Sequence, residues 1–154
     1  MRRILLVAIL WTALPALAWC LPAPEDGTIG VIRNCAGSAN IVRGNEVIPA
    51  AEGLKLRTGD TLTTGADGSV GLILRDDSCL SIGPDSRMVL EKFLFSPAHG
   101  KLGLFARLVK GTMAYLSGMI GKLAPETVRI ETPVASIGIR GTCFAVKAGE
   151  VATQ

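Results

Sequence analysis

Glycine governs what this chain can become. All eighteen glycines fall from Gly27 onward, and they recur at short intervals to the end of the chain. Each weakens a helix interior by about 0.5–1 kcal/mol relative to alanine and readily takes the backbone angles that tight turns need. The pieces between them are apolar, in a chain that is 49% hydrophobic overall. Within those pieces apolar residues alternate, and no stretch keeps the i, i+3, i+4 stripe of an amphipathic helix. Short alternating runs bounded by turn residues are strands. The expected fold class is therefore all-β: about a dozen short, mostly antiparallel strands forming a sandwich, a roll or a solenoid-like array.

The alternation places strands at 28–34, 38–43, 54–57, 60–64, 69–75, 78–82, 86–95, 102–109, 112–117, 127–132, 134–139 and 142–147. Turn chemistry separates them at Thr58-Gly59-Asp60, Ala66-Asp67-Gly68, Asp76-Asp77, Gly83-Pro84-Asp85 and Ser96-Pro97. Glycine supplies positive φ there, proline presets φ, and aspartate bonds its own backbone. The clearest hairpin is SVGLILRDDSCLSIG, with Val70, Leu72 and Leu74 on one face beside Leu80 and Ile82. Its two-residue turn is Asp76-Asp77, whose side chains are expected in water. Val89, Phe93 and Phe95 are expected to share one buried face.

The first twenty residues, MRRILLVAILWTALPALAWC, carry two arginines, an apolar run and small residues at Ala16 and Ala18. That is the pattern of a secretory signal peptide. Cleavage is expected after Ala18, and an uncleaved anchor is the alternative. Pro15 interrupts the run short of the ~20 residues that cross a bilayer. Lipidation at Cys20 is disfavoured by the bulky Trp19 before it. The expected organisation is a signal peptide at 1–18, an N-terminal extension at 19–27, a β domain at 28–147 and a tail at 148–154. The mature chain is then periplasmic or secreted.

Loss of Arg2 and Arg3 lowers the formal net charge from +3 to +1. The remaining basic residues are scattered and not interleaved with aromatics, so no nucleic-acid partner is expected. The cysteines at 20, 35, 79 and 143 include no C-x-x-C, and the single histidine, His99, stands in a loop. Metal sites need closely spaced ligands, so no metal and no cofactor are expected. Cys35, Cys79 and Cys143 read as small core residues, with at most one disulfide in an oxidising compartment. No nucleophile–base constellation is present, so no catalytic residue is assigned.

Two stretches, taken together, resemble the FecR-like domain family. LRTGDTLTTGADGSVGLILRDDSCLSIGPDSRMVL matches its core through Gly59 and Asp60, Thr64 and Gly65, Asp76 and Ser78, and Gly83, Pro84 and Ser86. TPVASIGIRGTCFAV matches its closing segment through Thr132, Pro133, Ala135, Arg140, Gly141, Thr142 and Phe144. Asp77 stands where the family turn usually has glycine. The resemblance covers about residues 28–147 and implies a stand-alone exported member, without the anti-sigma segment and membrane helix of the iron-uptake regulators. Those motif residues are expected to be structural, with Arg140 clamping turns through a carboxylate such as Asp60 or Asp85.

The resemblance and the absence of catalytic groups imply a non-catalytic binding or signalling module for an envelope or periplasmic protein. Sheet edges offer a physical route to such binding. The alternative is a cell-wall or carbohydrate-associated structural protein, for which the mature chain offers few aromatic platforms.

Overall fold

The computed structural model describes residues 27–138 and 143–149. Its strands are β1 (Thr28–Ala36), β2 (Ala39–Arg43), β3 (Glu46–Pro49), β4 (Lys55–Arg57), β5 (Thr61–Thr64), β6 (Ser69–Leu74), β7 (Cys79–Ile82), β8 (Arg87–Ser96), β9 (Lys101–Leu116), β10 (Val128–Thr132), β11 (Ala135–Gly138) and β12 (Cys143–Ala148). A single short helix, α1 (Met119–Leu123), lies between β9 and β10. The chain is all-β, as its alternation implies.

The strands form one curled sheet in the order β3-β2-β5-β8-β9-β7-β6-β1-β4, with β10 and β12 joining at β9 and β11 pairing β10. Strand β9 is the spine. Its first half pairs β8 and β10, and its second half pairs β7 and β12. Two wings result. The first is β4-β1-β6-β7, the second half of β9, and β12. The second is β3-β2-β5-β8, the first half of β9, β10 and β11. Every pairing is antiparallel except β9 with β10. A parallel pair needs a crossover, and the segment holding α1 supplies it.

Alternate residues of both wings point inward into one core. Ile32, Leu72, Leu80, Met113 and Tyr115 come from the first wing, and Ile41, Leu62, Met88, Leu108 and Ile130 from the second; none is more than 2% exposed. Burying each such aliphatic side chain is worth about 1.5–3 kcal/mol. Ile120 of α1 is also fully buried.

The structure corrects several boundaries. The segments 102–109 and 112–117 are one strand, β9, and not two. Gly111 sits mid-strand at φ 94, and a Cβ there would collide with Ser86, so the turn residue bends the ladder without ending it. Strand β3 and helix α1 were not expected from the alternation: β3 has only four residues and α1 only five, too few to show a period. Val89 does not share a face with Phe93 and Phe95. A bulge between Leu90 and Lys92 shifts the register, so the inward set is Met88, Leu90, Phe93 and Phe95. The β6–β7 hairpin keeps its expected register, with Val70 opposite Ile82 and Leu72 opposite Leu80.

Candidate functional site

The motif residues fall at turns where distant strands meet. Gly59 and Asp60 close the turn between β4 and β5. Asp60 is 1% exposed, and its carboxylate accepts from Arg43 Nε at 2.8 Å, Arg43 Nη2 at 2.7 Å and the Arg57 amide at 2.8 Å. Arg43 Nη2 also donates to the Lys55 carbonyl at 2.9 Å. Two-pronged arginine–carboxylate pairs are the stronger kind of ion pair, and this one ties β2 to the β4–β5 turn. The hydrogen bond to Asp60, foremost, raises the Arg43 pKa above its usual value. Asp60 is thus held by Arg43, a residue the motif does not contain. Arg140, the expected clamp, lies outside the described residues.

Asp76 does not point into water. It is fully buried, with Ser78. Asp77 takes φ 63, its amide donates to the Leu74 carbonyl at 3.0 Å, and Leu74 N donates to Ser78 O at 2.9 Å. The loop is therefore three residues with a left-handed third position, a known hairpin form, which turns Asp76 inward. The Asp76 carboxylate accepts from Ser78 N at 3.1 Å, Ser78 Oγ at 2.7 Å and Ile120 N at 3.2 Å. Ser78 Oγ accepts from Gly118 N at 3.0 Å and lies 3.2 Å from the Tyr115 hydroxyl. Burial, foremost, pushes the Tyr115 phenol above its ordinary value of 10.0, against the lowering effect of the Ser78 hydrogen bond. Three distant pieces, the β6–β7 turn, the end of β9 and α1, are locked by one carboxylate and one hydroxyl.

Gly83, Pro84 and Ser86 form a third junction. Thr64 Oγ1 donates to Gly83 O at 2.7 Å and accepts from Ser86 N at 2.9 Å. Ser86 Oγ accepts from Thr112 N and donates to Pro84 O, both at 2.9 Å. Gly65 O accepts from Asp85 N at 3.0 Å. Thr132 Oγ1 accepts from Ala135 N at 3.0 Å across the turn that holds Pro133. Gly141 and Thr142 lie outside the described residues, while Phe144 packs its ring 5.6 Å from that of Tyr115.

The three described cysteines are free thiols, so no bridge joins Cys35, Cys79 and Cys143. Cys35 donates to Ala50 O at 3.5 Å. Cys79 and Cys143 both stand opposite Leu116, one on each side of β9. Two strand spacings of about 4.8 Å separate them, beyond the ~7 Å between Cα atoms that a disulfide can span. Cys143 is exposed and not a core residue, because β12 turns Phe144 and Val146 inward instead.

Asp60, Asp76, Ser78 and Ser86 are engaged inside the fold, and the outer faces carry other chemistry. Across the first wing, Ile73, Cys79, Leu116 and Cys143 stand side by side on four neighbouring strands. Beside them runs a row of small residues, Gly71, Ser81, Ala114 and Ala145. The two rows, Ala145 excepted, line a shallow, mainly apolar groove of about 250 Å³ together with Arg33 and Asn34 of β1. Leu116 is 48% exposed in it. Across the second wing, Arg107 bridges Glu91 at 3.1 Å and Glu131 at 3.5 Å and lies over the Phe105 ring at 5.9 Å. Exposed pairs of that kind are worth about 0–1 kcal/mol, and their mixed signs select no charged ligand. Among the described residues no cluster of side chains could hold a metal ion, and no helix is long and apolar enough to cross a membrane.

Sequence reasoning missed Arg43 and Tyr115. Tyr115 left a trace: it is the only tyrosine and it falls on the inward alternation of β9. Arg43 left none, because its pairing with Asp60 is made by folding. No curated protein and no solved structure matches the chain. The family model for FecR protein matches residues 60–154, more than half of the sequence, and the chain belongs to that family.

Proposed function

We propose that this chain is a non-catalytic, exported regulatory module that recognises an envelope protein through the outer face of its first wing. The membership in a regulatory family supports the coarser reading, a regulatory or signalling role. The signal-like start supports export. The observation that carries the choice of surface is the apolar row Ile73, Cys79, Leu116 and Cys143 beside small residues, with Leu116 and Cys143 exposed and Ile73 and Cys79 half-buried. Apolar patches rimmed by polar residues are a common mark of protein contacts. A carbohydrate-associated role is less well supported: Tyr115 is buried, Phe93, Phe95 and Phe144 pack against the core, and the Phe105 ring lies under the Arg107 guanidinium, which leaves these aromatics no open flat platform to offer a sugar.

The test is site-specific photocrosslinking in cells. A crosslinking side chain at Leu116 should give a discrete adduct with another protein, and one at Leu94, on the second wing, should not. Equal labelling at both positions, or none at Leu116, would reject the proposed surface.

A further inference from the structure

The sheet has open edges, and three of them are guarded. Strand β3 has four residues and carries Glu46 and Pro49. Strand β4 has three and carries Lys55 and Arg57. Strand β11 follows Pro133. Shortness, charge and proline are the usual devices against unwanted pairing. Strand β12 has six residues, no proline and one charge, Lys147. Among the described residues only β9 pairs with it.

The core is also incomplete there. Phe144 and Val146 face inward opposite Tyr115 and Met113. Tyr115 and Met113 are 0% and 2% exposed, while Phe144 and Val146 are only partly buried against the same core. One more strand beside β12 would cover them.

We propose that this strand is β12 of a second copy of the chain, paired antiparallel about a two-fold axis through Ala145. Residues directly opposite each other in an antiparallel pair share a face. With Ala145 on the axis, Phe144 stands opposite the partner's Val146, and Val146 opposite the partner's Phe144. All four complete the two cores. On the outer face Ala145 meets the partner's Ala145, and Cys143 meets the partner's Lys147. Centring the pair between two residues would set inward side chains against outward ones. Centring it on Lys147 would bring two ammonium groups together. Ala145 is the one centre that sets Phe144 against Val146 in both directions, so the strand matches its own edge and the occupant is a second copy. A two-fold interface of this kind uses the β12 edge of both copies and closes at two chains.

Sedimentation velocity on the chain purified as it is processed in cells tests this. The wild type should pass from monomer to dimer as concentration rises. Ala145 is exposed, so Ala145→Lys and Ala145→Glu should fold normally and each dimerise more than about tenfold more weakly, through like charges meeting on the axis. An equimolar mixture of the two variants should restore dimers. Amide exchange gives a reading that needs no variant: protection at residues 143–148 should rise with concentration, with β3 and β11 unchanged. A wild type that stays monomeric overturns the proposal. So does a dimer indifferent to Ala145→Lys, a mixture that stays monomeric, or exchange at β12 independent of concentration.

Discussion

Asp60 and Asp76 both follow a turn signal, and either can be mistaken for a surface residue of that turn. The fold buries both and gives each a different set of donors. Removing Arg43 would strand the buried Asp60 carboxylate with the Arg57 amide and no cation. Arg43→Met should therefore lower stability by about 3 kcal/mol. Adding Asp60→Asn to it should recover part of that loss, as urea unfolding of the four-member cycle will read. Asp76→Ala orphans the Ser78 and Ile120 amides and removes one acceptor from the Ser78 hydroxyl, which keeps Gly118 N and the Tyr115 hydroxyl. A loss of about 1–3 kcal/mol is expected for each buried group left unsatisfied, enough to shift the thermal midpoint by several degrees. Tyr115 gives a pH signature. Its phenol is held neutral by burial above the ordinary value of 10.0, so its contribution is present below about pH 10 and is lost as pH rises beyond that. Tyr115→Phe cannot titrate, so its stability deficit against wild type should shrink between pH 9 and 11. A constant deficit over that range would show that the phenol is not shielded.

At the scale of elements, what could be read in advance was local. Twelve expected strands fall on eleven observed ones because each was marked by alternation and closed by Gly, Pro or Asp chemistry acting within a few residues. The register of β6 with β7 was legible for the same reason. The bulge in β8, the continuity of β9 and the existence of α1 were not, since each depends on what lies across the sheet. Gly111 illustrates the point. In sequence it falls in the gap between two expected strands; in the fold it is the place where β9 passes from one wing to the other against Ser86. Gly111→Ala adds both a strained φ and a clash, and left-handed non-glycine residues alone cost about 1–3 kcal/mol. Its urea midpoint should fall accordingly. Ile120→Ala should cost about 2–5 kcal/mol as a large-to-small core change, which would show that the five-residue helix closes the core and is not an ornament on the crossover.

The whole molecule divides its labour. The family motif marks the turns that hold two wings of a curled sheet together, and those residues were visible in the sequence as turn chemistry. The proposed recognition surface was not visible, because Ile73, Cys79, Leu116 and Cys143 come from four strands and are brought into one row only by pairing. Motif residues and surface residues should then fail in different ways. The most direct test compares Asp76→Asn with Leu116→Lys in the same cells, following the unfolding midpoint and the adduct formed from a photocrosslinker at Ala114. Asp76→Asn should lower the midpoint while the folded protein still forms the adduct. Leu116→Lys should leave the midpoint unchanged and abolish the adduct. The account is contradicted if Leu116→Lys unfolds the protein, or if Asp76→Asn removes the adduct from molecules that remain folded.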